Sequence, residues 1–401
     1  MRNTEFEATD GALSFLLSTS GHALLDQLAA VELDELHMLR LTTRLRKDLP
    51  PDIVAAALDV ALLRRKAHDK FERADEMFFT RESLEQASAE VVAEHRAHRY
   101  DSYPAVADLC CGIGGDALAL AAHADVLAVD RNMLRLRMAL ANAQAYGIDH
   151  HMHAICADVN AWYVDPSLPI WADPARRAGG HRLFSPEAYH PPLSSLLPLA
   201  LRAPGAGTKL APGVSYDELD ALLGSTSYEV EILSVHGECR EAVLWLGDFV
   251  TTSRRATLLP GGHTLTARSL TGPVPVTPPG SYLYEPDAAV IRAHLVEHLA
   301  EDIDASKIDD QIAYLTTDTR VETPFAISYQ VLETMPFNLK ALNRRLRELD
   351  VGELIIKKRG LSIDPEQFRH RLKYGPGAQT VAVVLTRIRN RPSVLICRPL
   401  S

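Results

Sequence analysis

Four aspartates stand where a carboxylate can meet a ligand in place of water. Asp108 closes the apolar run AVAD, Asp130 closes DVLAVD, Asp158 closes HAICAD and Asp173 closes LPIWAD. An acid at the end of an apolar run is costly to desolvate unless a ligand or the donors of a turn compensate it. Between the first two lies Cys110-Cys111-Gly112-Ile113-Gly114-Gly115, a turn whose backbone a ligand can approach without meeting a Cβ. Asp130 follows Gly115 by fifteen residues, a place from which a carboxylate accepts hydrogen bonds from both hydroxyls of a ribose. These residues suit the grip of a nucleoside-bearing cofactor, and their spacing alone admits a dinucleotide.

Such a grip needs strands to carry the acids and helices to return the chain. Residues 1–98 read as helical, with Leu/Ala-rich amphipathic stretches broken at Pro50-Pro51, and Thr80 is placed to cap a helix that begins just after Phe78-Phe79. From residue 104 onward apolar runs alternate with helical segments, the pattern of a parallel sheet with crossover helices. Strands are expected over 105–109, 125–130, 153–158, 168–173, 207–211, 229–234 and 242–246. The Pro/Gly-rich GPVPVTPPG opens a connector. The expected organisation is a helical region over 1–98, a sheet domain over 99–271, the connector over 272–285 and a small basic α+β domain over 286–401.

Hydrophobic residues make up 47% of the chain and charged ones 23%, the balance of an ordinary globular protein. MRNTEFEATDG carries acids where an export signal carries bases, and no stretch approaches the ~20 apolar residues of a membrane span, so a cytoplasmic location without a membrane partner is expected. The five cysteines show neither paired nor metal-ligand spacing, so no disulfide framework and no metal is expected. The formal net charge is −10 but it is uneven: from Lys340 to Ser401 fourteen bases face five acids, a balance of +9, which leaves −19 on residues 1–339. A basic end on an acidic chain points to a nucleic-acid partner, the alternative being a solvated surface that merely ends basic.

The spelling D-L-C-C-G-I-G-G-D, the segment L-A-V-D-R-N-M-L-R-L-R-M-A-L-A-N-A-Q-A-Y-G-I and the upstream F-F-T-R-E-S resemble class I S-adenosylmethionine-dependent methyltransferases, in particular the trimethylguanosine-synthase-like group. With the basic C-terminal domain, roughly residues 70–401 resemble bacterial methyltransferases that carry a THUMP-like domain. The resemblance implies an α/β fold on a seven-stranded Rossmann-like sheet, with S-adenosyl-L-methionine as cofactor. By the same resemblance Asp108 faces the methionine amino group, with Cys110, Gly112 and Gly114 lining that end and Thr80 joining from the entry segment. Asp130 holds the ribose, and Asp158 meets the adenine amine with Arg131 and Val159 flanking the ring. The residues themselves leave Asp158 the alternative of capping a helix before VNAW.

At the fourth strand end, Asp173-Pro174-Ala175-Arg176-Arg177 keeps the acid and first proline of the group's substrate motif and lacks its second proline and aromatic. A base has no stacking surface in its usual place, which counts against cap-type or adenine-N6 recognition. D-P-A-R also resembles a segment of uracil-C5 RNA methylases, whose nucleophilic cysteine has no counterpart in GTKLAPG. Asp173 and Pro174 are the expected catalytic residues, Asp173 orienting the nucleophile or taking its proton. Arg176 and Arg177 are expected to grip phosphate, or else to cap the loop, and Lys357, Lys358 and Arg359 to dock RNA. The expected reaction is methylation of a nucleotide in structured RNA, tRNA or rRNA. A small-molecule or protein methyltransferase, or a catalytically silent RNA-binding module, is the alternative.

Overall fold

The structure, a computed structural model, describes residues 9–178, 181–182 and 185–400, the side chains at 35–36, 177–178 and 181–182 excepted. The chain divides into two units, Met1–Tyr228 with Val243–Thr251 and Glu229–Ala242 with Thr252–Ser401.

The first unit opens on helices α1 (Asp10–Leu16), α2 (Thr19–Ala29), α3 (Glu35–Leu45) and α4 (Pro51–Ala67). Thr9, Ser18 and Asp34 cap the first three by accepting from the backbone amides of Ala12, Gly21 and His37, donors that a helix start otherwise leaves open. Pro51 occupies the first position of α4, where its fixed φ suits the helix and no needed N–H is lost. Thr80 caps α5 (Arg81–Gln86): its side chain accepts from the Ser83 amide, while the Ser83 hydroxyl accepts from the Thr80 amide. Helix α6 (Glu90–Ala97) then leads to the sheet.

Strands β1 (Ala105–Leu109), β2 (Asp125–Asp130), β3 (Met152–Cys156) and β4 (Ile170–Ala172) follow, then the short pair β5 (Arg177–Ala178) and β6 (His181–Arg182), then β7 (Gly205–Leu210). Helices α7 (Gly115–Ala121), α8 (Met133–Tyr146), α9 (Leu193–Ala200) and α10 (Tyr216–Leu223) return the chain. The long strands pair in parallel in the order β3-β2-β1-β4-β7. β1 buries Val106, Ala107, Asp108 and Leu109 completely, as a strand covered on both faces must. The strand order reverses between β1 and β4, and sheets of this kind bind ligands outside the carboxyl ends of the strands at such a reversal. There the Leu109 carbonyl accepts from the Asp173 amide at 3.1 Å, which fixes the segments leaving β1 and β4 side by side.

In the remaining chain come β8 (Tyr228–Val235), β9 (Glu238–Gly247), β10 (Arg254–Leu259) and β11 (His263–Thr266). β10 runs parallel to β8 and pairs with β11 antiparallel. β10 and β11 are two strands beyond the seven that the sequence pattern predicts. The additional two, RRATLL and HTLT, carry arginines and threonines where a strand signal needs apolar residues, and the ladder recruits them regardless.

A second sheet follows, built from β12 (Tyr282–Pro286), β13 (Ser306–Asp309), β14 (Ile312–Thr317), β15 (Ala326–Pro336), β16 (Val351–Lys358), β17 (Gln379–Ile388) and β18 (Arg391–Pro399), with α11 (Ala288–Arg292), α12 (Val296–Asp302), α13 (Leu339–Glu348) and α14 (Pro365–Arg369). Its order is β13-β14-β12-β15-β18-β17-β16, antiparallel except for β16 with β17. The turn between β17 and β18 uses Arg389 and Asn390, both left-handed at φ 46 and 65, the conformation a two-residue hairpin turn demands. Strand alternation turns Val381, Val383 and Leu385 toward Leu342, Leu346 and Phe368 of α13 and α14, and Ala382 and Val384 toward Tyr314 and Tyr329 on the opposite face. Among the described residues no helix is long and apolar enough to cross a membrane.

Candidate active site

The glycine-rich turn is shaped by three left-handed residues in alternation. Cys110 (φ 63), Gly112 (φ 58) and Gly114 (φ 89) turn the chain out of β1 and into α7, with Gly114 as N-cap. A Cβ on Gly112 would meet no protein atom within 4 Å, so that glycine faces open space. At Gly114 the constraint is packing as well as φ, because a Cβ would lie 3.3 Å from the Ala139 methyl. Asp130, 6% exposed, holds the turn from the next strand: Oδ2 accepts from the Gly112 amide at 3.0 Å and Oδ1 from the Asn132 amide at 2.8 Å. Two backbone donors thus orient this carboxylate and leave each oxygen with further acceptor capacity.

Asp108 is fully buried, and among the described residues neither of its carboxyl oxygens has a hydrogen-bond partner. Burial pushes its pKa well above the usual carboxylate range, the charges of Asp116, Asp173 and Asp130 push it further, and Arg96 opposes them. Its neighbours are by contrast paired. Arg96, stacked over the Trp171 ring at 4.5 Å, bonds Asp116. The Ser88 hydroxyl donates to the other Asp116 oxygen at 3.0 Å. Lys209, 2% exposed, donates to Ser88 Oγ at 2.8 Å, to Asp173 Oδ2 at 2.7 Å and to the Gln86 carbonyl at 3.3 Å. Burial works against the charge on Asp116, yet Arg96 and Lys209 together hold it below the usual carboxylate range. The chain Arg96, Asp116, Ser88, Lys209, Asp173 sets two cations against two carboxylates, and Asp108 is the acid left over.

Sequence patterning did not find Lys209, Ser88, Arg96 or Asn142. Asn142, fully buried in α8, donates to the carbonyls of Phe78 (3.2 Å) and Ile113 (3.0 Å) and accepts from the Phe78 amide (2.7 Å), so one side-chain amide ties the entry segment to the turn. Its place in N-A-Q-A-Y-G-I was the available signal. Phe78 and Phe79 lie in the core, Phe78 edge-on to His22 and Phe79 against Phe71. Thr80 is committed to capping α5, its hydroxyl also donating to Ser83 Oγ at 2.9 Å.

The end of β3 lies beside that of β2, the Ala157 amide donating to the Asp130 carbonyl at 3.1 Å. Asp158 is exposed there and accepts from the Asn160 backbone amide at 2.9 Å and side-chain amide at 3.0 Å, closing a turn with no helix after it. Val159 is buried and Arg131 exposed. Burial, then the carboxylates of Asp130, Asp173 and Asp108, push the Cys110 thiol far up, and burial does the same at Cys111, so neither offers a thiolate at neutral pH. Pro174 is buried behind Asp173, whose side chain is 20% exposed. Arg176 is fastened to the end of β7, its Nη1 donating to the Leu210 carbonyl at 2.9 Å. The Arg177 side chain lies outside the described residues.

Lys357, Lys358 and Arg359 do not form one patch. Alternation along β16 turns Lys357 and Arg359 to one face, where Glu285 takes Lys357 at 2.8 Å and Arg359 at 3.6 Å and Arg359 sits 5.3 Å over the Tyr314 ring. Lys358 is exposed on the other face.

Residues 104–181 match the family model for RNA cap guanine-N2 methyltransferase and residues 326–399 the THUMP domain-like model. A model of a domain of unknown function matches residues 11–67. The chain is similar to an uncharacterized S-adenosylmethionine-dependent methyltransferase found in two strains of Mycobacterium tuberculosis, at 34% identity over 356 residues, covering 85% of this chain and 96% of that protein. It also shares its fold with a methyltransferase candidate from Porphyromonas gingivalis W83, whose crystal structure aligns at a TM-score of 0.69 and 21% identity over 92% of this chain and 100% of that one.

Proposed function

Since the chain belongs to the S-adenosylmethionine-dependent methyltransferases, we propose that it methylates a nucleotide in structured RNA, tRNA or rRNA. The observation that carries the RNA half is the THUMP domain-like match over 326–399, which falls largely within the stretch where fourteen bases face five acids. The RNA cap guanine-N2 methyltransferase match over 104–181 supports the same substrate class.

The residues fit the cofactor. A buried carboxyl without a partner is an unmet demand for a donor, and the ammonium of a methionine moiety meets it at Asp108. The open space over Gly112 leaves room for the cofactor against the backbone, and Asp130, already oriented by two amides, has acceptor capacity left for ribose hydroxyls. Asp158 and Arg131, at the neighbouring strand ends, are assigned to the adenine side, and Thr80 and Cys110 to the rim of the turn.

S-adenosylmethionine supplies a methyl group already activated on a sulfonium, which leaves the protein the tasks of alignment and of draining one proton. Asp173 takes that task. Lys209 fixes its rotamer by donating to Oδ2, so Asp173 accepts a hydrogen bond from the nucleophile and orients it, with the buried Pro174 next to it in the chain. Arg176, anchored to Leu210, holds the loop that carries Asp173.

Incubating the protein with methyl-labelled cofactor and total RNA tests the proposal. Label should enter RNA and should vanish when the RNA is digested beforehand. Nucleoside profiling of the labelled fraction then identifies the base. Label entering only protein or small-molecule fractions would overturn the RNA reading.

A further inference from the structure

We propose that RNA docks on the outward face of helix α13 and the adjoining segment 371–373, and that the Lys357-Lys358-Arg359 triplet is not the docking surface. This inference rests on the RNA reading above and locates where the RNA sits.

Helix geometry gathers the first part of the surface. α13 buries Leu342 and Leu346, and Lys340, Arg344 and Arg347 recur at i, i+4 and i+7, which places them in one stripe on the side of the helix away from the core. At 1.5 Å per residue the stripe spans about 10 Å, the scale of neighbouring phosphates on a strand. All three side chains are exposed, and none forms an ion pair among the described residues. The fourth cation of the helix, Arg345, differs: it is half-buried and already committed to Glu333 and Glu348.

A second element extends the stripe. Asn343 donates to the Arg371 carbonyl at 3.1 Å and accepts from the Lys373 amide at 2.7 Å, pinning that segment against α13. Arg371 and Lys373 are exposed and likewise free of ion pairs among the described residues. Five cations from two elements are thus held in a fixed array by one buried stripe and one amide clamp, in a chain whose net charge is −10. A phosphate backbone complements such an array. A lipid surface fits less well, because no large apolar side chain is exposed among these residues to enter it. The triplet on β16, by contrast, already spends two of its cations on Glu285.

The test is fluorescence anisotropy with a fluorescein-labelled tRNA transcript over a salt series, using the full chain. The Lys340→Ala, Arg344→Ala, Arg347→Ala variant should bind at least tenfold more weakly, and its slope of log affinity against log salt should flatten by about 2–3, near one unit for each phosphate no longer neutralised. The Arg371→Ala, Lys373→Ala variant should flatten it by about 1–2. Cofactor binding by calorimetry should stay unchanged in both, which separates a docking defect from a folding defect. Wild-type slopes in both variants would overturn the inference while leaving the RNA reading intact. Failure of the wild-type chain to bind the transcript would instead overturn the reading beneath it. Binding to phosphatidylserine vesicles in preference to RNA would overturn both.

Discussion

Asp108→Asn keeps the shape of the buried carboxyl and removes only its ability to ionise. That carboxyl has no partner and is pushed well above the usual range, first by burial and then by Asp116, Asp173 and Asp130. In the unliganded protein that upward shift favours the neutral acid, which the Asn side chain imitates, so the substitution should change stability by no more than about 1 kcal/mol. The loss should fall on cofactor binding. A hydrogen bond to a charged partner contributes about 1.5–3 kcal/mol, which converts to a roughly 10- to 150-fold weaker Kd for S-adenosylmethionine. The sign of the pH dependence follows. Arrival of an ammonium favours the ionised carboxyl, so wild-type binding should release a proton, and affinity should rise with pH until the raised free-state pKa of Asp108 is passed. The Asn variant should lack that rise. Stability behaves in the opposite sense: the contribution of a raised carboxyl is fully present below the unfolded value of about 3.9 and is lost as pH climbs through the folded value, so unliganded wild type should weaken relative to the variant on going to higher pH. Calorimetry in two buffers of different ionisation enthalpy reads both affinity and proton count. Unchanged affinity in the variant, or wild-type binding without proton release, would refute the pairing.

Two further outcomes are expected. Lys209→Met leaves Asp173 and Ser88 without their donor; breaking a buried pair costs about 3–5 kcal/mol, and since Asp173 is 20% exposed the loss by urea denaturation should lie near about 3 kcal/mol, with much of it recovered in the Lys209→Met, Asp173→Asn double variant. A single variant as stable as wild type would deny the pair its role. Gly112→Ala adds a methyl in open space at φ +58, so stability should drop by about 1–2 kcal/mol from backbone strain. Cofactor affinity should fall by more than that, and an affinity equal to wild type would show that the space over Gly112 is not the cofactor's.

The acids at the strand ends were legible because each closes an apolar run, and the run, the glycine turn and the next acid lie within a few dozen residues. Lys209 was not. In GAGTKLAPG a lysine reads as the exposed end of a strand, and only folding brings it to Asp173 and to Ser88, 36 and 121 residues away. For Asp158, expected to meet the adenine amine, the alternative of a helix cap arose because a turn and a helix start share the same first bond, and the chain after it never continues as a helix. Strands β10 and β11 escaped notice because hydrogen-bond pairing at a sheet margin asks little of side-chain polarity. The basic triplet looked like a single patch because a linear string hides the period of two that separates Lys357 and Arg359 from Lys358. On α13 the same arithmetic with a period of 3.6 gathers what the string had scattered.

Three polar side chains around the candidate site reach back to residues ahead of β1: Asn142 to Phe78, Asp116 to Arg96 and Ser88, and Lys209 to Ser88 and Gln86. Without those partners three interior groups would be left short of bonds at about 1–3 kcal/mol each, a sum comparable with the ~5–15 kcal/mol by which a whole domain holds together. The segment over 78–97, with α5 and α6, is therefore masonry of the candidate site, and the stretch from β1 onward is not a self-sufficient module: these helices and the parallel strands should melt as one cooperative block.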